Sequence, residues 1–160
     1  MLTTYRIFKT KYSYAWFDGE GAFRYGGRWN TRGSRLLYTS GTLSLALLEV
    51  LVHLEKEEMV PKYSLATLTF DETLVADVRE IGELPPDWSG PMLSTDVRQI
   101  GDEWSRSLQS LVLRVPSIIV PNEFNYLINV EHQAFEKVKL GDPEPFVFDK
   151  RLINREKGRP

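Results

Sequence analysis

An almost wholly apolar stretch from Leu43 to Leu54 constrains the fold more than any other part of the chain. Its apolar residues recur at helical spacing and cover two faces, a pattern that predicts a buried helix. Ser40 and Thr42 stand just before it, where a side-chain oxygen can accept a hydrogen bond from an unpaired N–H group of the first turn. The helix is therefore expected to begin near residue 43 and to lie in the core.

One carboxylate, Glu49, interrupts this apolar run, and His53 follows one turn later. A buried carboxylate is costly without a cation or strong hydrogen-bond donors. The candidate cation is Arg28, which is close in sequence and follows two glycines that allow a tight bend. Glu49 is then either half of a structural ion pair or a catalytic carboxylate that faces a cleft lined by Arg28 and Tyr38. A carboxylate, a guanidinium and a phenol suit an anionic ligand that contains a sugar.

Composition narrows the class of protein. A chain of 160 residues with 42% hydrophobic residues is long enough for one domain with a sizeable core. A net charge of −2 gives no general attraction to nucleic acid or acidic membranes. The lack of cysteine excludes disulfides and zinc–thiolate sites, and two histidines make a multi-histidine metal site unexpected. Because no signal-peptide pattern or membrane-length apolar run is present, we expect a soluble, cytoplasmic protein.

The order of predicted elements indicates an α+β domain. Alternating or β-branched runs predict strands at 3–8, 34–40, 63–70, 111–115 and 146–148, and helical spacing predicts a second helix at 95–110. Connecting segments are expected at 13–27, 55–61, 71–91 and 125–129. Irregular strand connections favour a mainly antiparallel sheet over a doubly wound parallel one. No Gly-x-Gly-x-x-Gly or Walker loop is present, so those devices do not hold a nucleotide.

Two further residues have alternative interpretations. Arg6, on the first strand, is either a solvated charge at a sheet edge or a phosphate ligand in the same cleft. Ser117 follows Pro116 at a strand end, where it either completes a turn or presents a hydroxyl or backbone N–H to a ligand. It is a poor candidate nucleophile, since no Gly-x-Ser-x-Gly elbow surrounds it.

Together these motifs resemble the RES-domain family, in order and over nearly the whole chain: Gly26-Gly27-Arg28-Trp29-Asn30, Tyr38, Ala46 to His53, Leu113 to Ser117, and Asn125 to Asn129. The resemblance implies an ADP-ribosyltransferase-like fold, a single compact domain with a mainly antiparallel split sheet. That domain would span 1–160, with a core at about 3–152 and a short charged C-terminal tail. By position, Glu49, Arg28, Tyr38 and Ser117 fall on the family's catalytic residues. Arg6, Arg28, Tyr38 and Ser117 fall on its NAD-binding residues.

The resemblance also implies an activity and partners. Members of this family are toxins of bacterial type II toxin–antitoxin pairs that cleave the nicotinamide–ribose bond of NAD by hydrolysis or phosphorolysis and so arrest growth. Some relatives attach ADP-ribose to proteins at the same site. NAD is then the substrate, with no further cofactor and no metal. The expected partner is an Xre-family helix-turn-helix antitoxin that blocks the active site, within a complex that can hold a homodimer, with no membrane and no direct nucleic-acid binding.

One motif departs from the family, and one alternative function stays open. Where the family usually has Asn-Pro-x-His-Pro, this chain reads Asn129-Val130-Glu131-His132-Gln133, so both prolines are missing and the rigidity of this loop is in question. The alternative is a non-enzymatic nucleic-acid or protein-binding module that uses four closely spaced arginines: Arg24, Arg28, Arg32 and Arg35. The acidic net charge argues against it.

Overall fold

The computed structural model describes residues 1–54 and 62–153. The predicted connection at 55–61 and the last part of the predicted tail, 154–160, lie outside these ranges. In chain order the elements are β1 (Leu2–Lys9), α1 (Glu20–Tyr25), β2 (Leu36–Ser40), α2 (Leu43–Leu51), β3 (Tyr63–Phe70), β4 (Val75–Asp77), α3 (Val78–Ile81), α4 (Thr95–Ser107), β5 (Val112–Pro116), β6 (Phe124–Asn129), β7 (Lys139–Leu140), β8 (Glu144–Phe146) and α5 (Lys150–Ile153). None of the helices in the described ranges is long and apolar enough to cross a membrane.

The strands form one sheet that divides into two halves. The order is β4-β5-β6-β2-β1-β3-β7, with β8 also on β3, and only β4 and β5 run parallel. β1 pairs with β3 along its whole length, from Leu2 to Lys9, whereas it meets β2 at one residue pair, Tyr5 with Ser40. The sheet therefore splits between β1 and β2. This confirms the α+β class and the mainly antiparallel split sheet of an ADP-ribosyltransferase-like fold.

Both faces of the β5–β6–β2 half are buried, each by its own apolar cluster. Successive residues of a strand point to opposite faces, so they enter different clusters. Leu36, Leu113 and Leu127 pack into one apolar cluster with Trp104 of α4. Their neighbours pack into a second cluster with Phe70 on the other face: Leu37, Val112 and Ile128. This half-sheet is thus a firm support for the side chains at its edge with β1.

Helix α2 is less buried than predicted. It begins where expected, since the Thr42 side chain accepts a hydrogen bond from the Leu45 N–H at 3.1 Å, but it ends at Leu51 rather than Leu54. Only Leu45 and Ala46 of the helix are buried, while Leu43 is exposed. The helix packs on β1 and β3 over part of its surface. Ala46, Glu49 and Val50 also border an open cavity, so much of the helix surface does not enter the core.

Three segments expected to be irregular connections form regular secondary structure. Residues 125–129 belong to the central strand β6 rather than a loop, residues 20–25 form α1, and residues 75–81 form β4 and α3. The last strand is 144–146, not 146–148. These elements are short, and their stability comes from pairing and capping with distant or adjacent groups rather than from local propensity.

The loop after β6 is held without the family's two prolines. The Asn129 side chain donates to the Ser105 carbonyl at 2.9 Å and accepts from the Glu131 N–H at 3.0 Å. His132 Nδ1 accepts from the Ala134 N–H at 3.0 Å, which leaves the proton on Nε2, 3.1 Å from the Leu108 carbonyl oxygen. Side-chain hydrogen bonds therefore restrain the backbone where proline rings are absent.

Candidate functional site

A cavity lies at the split in the sheet. Its volume is about 900 Å³, and β1, β2 and α2 border it together with the Gly26–Trp29 turn and the segment after β5. Because β1 and β2 share one residue pair, their backbones diverge beyond it and α2 spans the opening. A cavity of this size is in the range that small-molecule sites occupy.

Glu49 lines this cavity from α2 and is half-buried. Its Oε1 accepts a hydrogen bond from Asn125 Nδ2 at 2.6 Å. Among residues 1–54 and 62–153 it forms no ion pair, so the predicted pair with Arg28 is wrong. A half-exposed carboxylate keeps part of its hydration, and a neutral amide is then a sufficient partner.

Arg28 reaches the cavity from a tight turn that depends on glycine. Gly26 has a φ of 70°, and a Cβ on Gly27 would lie 2.4 Å from the Tyr38 hydroxyl. Arg28 Nη1 donates to the carbonyl oxygens of Trp88 and Gly90, each at 3.2 Å. These bonds orient the guanidinium and leave its other N–H groups available to a ligand.

The turn is anchored on helix α4. The Trp29 side chain is buried against Trp88, and the Trp29 carbonyl oxygen is so close to Gly101 that a Cβ there would lie 1.7 Å from it. Asp102 accepts from the Thr31 N–H at 3.0 Å and from the Thr31 hydroxyl at 2.6 Å. Gly101, a residue type that weakens an isolated helix, is the place where the turn packs on α4.

Tyr38 is among the residues that line the cavity, and its hydroxyl is engaged in the turn. The hydroxyl donates to Asn30 Oδ1 at 2.6 Å and accepts from the Trp29 N–H at 3.2 Å. Burial raises the pKa of this phenol above its ordinary value of 10.0. The neutral hydroxyl is thus committed to the turn, and the aromatic face is the part of Tyr38 that a ligand can contact.

Arg6 is on an interior strand, so the interpretation as a charge at a sheet edge is wrong. Its Nη1 donates to the Tyr38 carbonyl oxygen at 2.8 Å, across the gap where β1 and β2 separate. Burial lowers the pKa of the guanidinium to about 10, against the opposing effect of Asp18, so it stays positively charged at neutral pH. Its Nε is buried and has no acceptor among the described residues, which leaves hydrogen-bonding capacity unused.

Ser117 does not line the cavity, although its neighbours Pro116 and Ile118 do. It is buried, and its Oγ accepts from the N–H groups of Ile119 and Val120, each at 3.1 Å. The structure therefore brings Arg6, Arg28, Tyr38 and Glu49 together, while Ser117 shapes the turn behind them. Its predicted contact with a ligand stays a prediction.

Asn125 lines the cavity but is not predicted from the sequence as a site residue, although the motif that contains it is identified. It lies near the start of β6, whose mixed Asn and apolar composition indicates a loop when the sequence is read alone. The Glu49–Asn125 contact joins residues 76 positions apart, so no local pattern reveals it.

The four clustered arginines do not form a common basic surface. Glu20 pairs with both Arg24 and Arg35, the latter at 2.6 Å, and Arg35 also covers the Phe23 ring at 4.5 Å. One carboxylate thus offsets part of the positive charge of two of the four arginines, which argues against a nucleic-acid surface. Within the described ranges, no group of three or more His, Cys, Asp or Glu side chains is placed to hold a metal ion.

Comparison with known proteins gives the context of this site. Toxin Res of Photorhabdus laumondii is 38% identical over 157 residues, which are 96% of this chain and 98% of that protein. Toxin Res of Yersinia enterocolitica is 34% identical over 92% of this chain and 97% of its own length. A protein of a Sphingobium species named Prs ADP-ribosylating toxin is 34% identical over 86% of this chain and 87% of its own length.

A solved structure shares the fold. The chain matches the crystal structure of the Mycobacterium tuberculosis MbcT–MbcA toxin–antitoxin complex with a TM-score of 0.74 and 19% identity, over 91% of this chain and 84% of the matched one. The sequence profile of the RES domain matches residues 3–149. With the cavity residues in the order that the motifs require and relatives named toxins along nearly its full length, this chain belongs to the RES-domain family.

Proposed function

We propose that this protein is a toxin that consumes NAD by breaking its nicotinamide–ribose bond, with water or inorganic phosphate as acceptor. The observation that carries the proposal is one cavity lined by an oriented carboxylate, Glu49, and two guanidinium groups, Arg6 and Arg28. An anionic ligand that contains a sugar needs both kinds of group. Membership of a family whose relatives are named toxins supports the biological role.

Glu49 supplies negative charge where positive charge develops. As nicotinamide leaves, the ribose becomes an oxocarbenium-like cation at its anomeric carbon. A fixed carboxylate beside it stabilises this transition state more than the neutral ribose of the ground state, and this difference is what accelerates the reaction. The same carboxylate can accept hydrogen bonds from the ribose hydroxyls or orient the incoming water or phosphate.

Arg6 and Arg28 bind the pyrophosphate. Each guanidinium is oriented by backbone carbonyl oxygens, so the N–H groups that remain can donate to phosphate oxygens with little further loss of side-chain freedom. The ring of Tyr38 offers a flat surface for the nicotinamide or adenine, since its hydroxyl is occupied by Asn30 and Trp29. No step in this scheme requires a metal ion.

The test is NAD turnover by purified protein, with and without inorganic phosphate, followed by separation of nicotinamide, ADP-ribose and phosphorylated products. We expect wild type to release nicotinamide and Glu49→Ala to lose more than about 100-fold in turnover, as for removal of an electrostatic stabiliser. Arg28→Ala should mainly raise the Kd for NAD. Turnover by Glu49→Ala at the wild-type rate would refute the role of this carboxylate.

A second candidate is transfer of ADP-ribose to a protein at the same site. The name of the Sphingobium relative, Prs ADP-ribosylating toxin, favours it. Incubation with NAD labelled in the adenylate half distinguishes the two activities: label on a protein band indicates transfer, and label in free ADP-ribose indicates hydrolysis.

We also infer an antitoxin partner, of the Xre helix-turn-helix type that the family resemblance implies, and a cytoplasmic site of action. The matched solved structure is itself a toxin–antitoxin complex. Three apolar side chains that line the cavity are exposed at its rim, Val52 by 58%, Leu93 by 48% and Ile118 by 41%. A protein that covers this rim would bury apolar surface and close the cavity, and a second copy of the chain within the complex is compatible with it.

A further inference from the structure

Glu49 is connected to the sheet by a directional chain of hydrogen bonds. Ser40 and Asn125 are directly paired residues on β2 and β6, next to the point where the sheet splits. Ser40 Oγ donates to Asn125 Oδ1 at 2.8 Å, and Asn125 Nδ2 donates to Glu49 Oε1 at 2.6 Å. All three residues line the cavity.

Chemistry fixes the direction of this chain. An ionised carboxylate can only accept, so the amide must turn its NH₂ group to Glu49 and its carbonyl oxygen to Ser40. Ser40 must then donate its proton. Neither the amide nor the hydroxyl titrates in the physiological range, so this arrangement is the same over a wide range of pH.

We propose that Asn125 is the positioning residue of Glu49, which holds Oε1 so that Oε2 faces the ribose. This inference rests on the proposed cleavage of NAD. An arginine in the same place would orient the carboxylate equally well, but it would cancel the negative charge that the oxocarbenium-like transition state needs. The amide orients Glu49 without neutralising it, and this explains why the carboxylate is paired with Asn125 rather than with Arg28.

The discriminating variant is Asn125→Asp, which keeps the size of the side chain and makes its hydrogen bond depend on a proton. When one proton is shared, the introduced carboxyl group can donate to Glu49 as the amide does. When both groups ionise, two like charges at hydrogen-bond distance repel and the position of Glu49 is lost. Asn122→Asp is the matched control, because it makes the same change at an exposed turn.

Other titratable groups line the cavity and must be separated from this effect. They are Arg6, Lys9, Tyr5, Arg28, Tyr38, Tyr63 and His53. His53 is the imidazole among them, so both aspartate variants and the wild type are also prepared with His53→Gln. The pH dependence attributed to position 125 is the part that persists in the Gln background.

Nicotinamide release is measured from about pH 5 to about pH 9, the interval in which strongly coupled carboxyl groups titrate. We expect Asn125→Asp to approach wild-type kcat at the acidic end and to fall by about 10-fold for each unit above its new titration, while Asn122→Asp follows wild type. Asn125→Ala should lower kcat by about 10-fold to 100-fold, as for loss of an orienting partner, with KM within about 3-fold of wild type.

Two results would overturn the inference: a pH profile of Asn125→Asp parallel to wild type, or wild-type kcat in Asn125→Ala. Failure of wild type to release nicotinamide is a different result, which refutes the proposed function. The contact is then judged from melting temperatures of Asn125→Ala, Glu49→Ala and the double variant. A double loss smaller than the combined single losses supports the coupling, and additive losses reject it.

Discussion

Replacing Gly101 by alanine sets helix propensity against packing, and the structure decides which is larger. In an isolated helix this change is favourable by about 1 kcal/mol. Here the new Cβ would lie 1.7 Å from the Trp29 carbonyl oxygen, whereas ordinary van der Waals contact begins at 3.4 Å. The helix and the turn must therefore separate by about 1.7 Å.

The turn cannot yield freely, because Trp29 is 3% exposed, its N–H is bonded to Tyr38 and its ring packs on Trp88. Overpacking of this kind costs about 3 kcal/mol, at the upper end of the usual range. After subtraction of the propensity gain, we expect Gly101→Ala to lower the free energy of unfolding by about 2 kcal/mol, or the Tm by about 6 °C for a domain of this size.

Gly21→Ala is the control, since a Cβ at this position in α1 meets nothing within 4 Å. We expect it to raise the free energy of unfolding by about 0.5 kcal/mol. Urea denaturation of both variants is the measurement. Because Arg28 precedes the displaced residue, the Kd for NAD should also rise in Gly101→Ala. A Gly101→Ala variant as stable as wild type, with NAD affinity retained, would refute the close contact between turn and helix.

The remaining predictions concern Tyr38, Ser117 and Thr42. Tyr38→Phe should reduce the loss of stability in alkali. Burial raises the pKa of this phenol above its ordinary value of 10.0, so its contribution to stability is complete at pH values below that value and declines as the pH rises above it. Urea midpoints at about pH 9 and about pH 11 measure this dependence of stability on pH. Ser117→Ala should lower the free energy of unfolding by about 1 kcal/mol, because two N–H groups lose their acceptor. It should reduce nicotinamide release far less than Glu49→Ala does. A severe loss of turnover with normal stability would instead indicate that Ser117 contacts the ligand. Thr42→Ala should cost about 1 kcal/mol through loss of the helix cap, and an unchanged melting curve would contradict that role.

The sequence is informative where a pattern is local. The strand at 63–70 alternates from Ser64 to Phe70 in burial, and the strand predicted from its sequence has the observed bounds. A capping side chain that is adjacent in sequence predicts the start of α2. Residue type and family motif select Arg28, Tyr38 and Glu49, and the fold brings them to one cavity.

The errors share a physical origin in distant contacts. The partial exposure of α2 could not be predicted from its composition, because Leu43 is exposed and Val52, just after the helix, lies at the edge of an open cavity rather than under another element. The sequence assigns Glu49 to Arg28, a cation that is close along the chain, whereas the observed donor, Asn125, comes from a strand 76 residues away. Gly101 weakens a helix in isolation, and only the position of Trp29 shows why a side chain is not tolerated there.

The burial of both faces of β6 affects how the register of this strand is determined. In a sheet with one solvent-exposed face, a register shift of one residue would expose apolar side chains, and this cost disfavours the shifted pairing. Leu127 and Ile128 both face apolar clusters, so such a shift would exchange one leucine-sized group for another and meet little penalty at these positions. The correct register of β6 is then selected by the side-chain amides near the two ends of the strand. Asn125 is hydrogen-bonded to Ser40, and Asn129 is hydrogen-bonded to the Ser105 carbonyl. Asn125, which donates a hydrogen bond to Glu49, thus also helps the strand to reject incorrect registers as it folds, so the register of β6 and the geometry around Glu49 arise together.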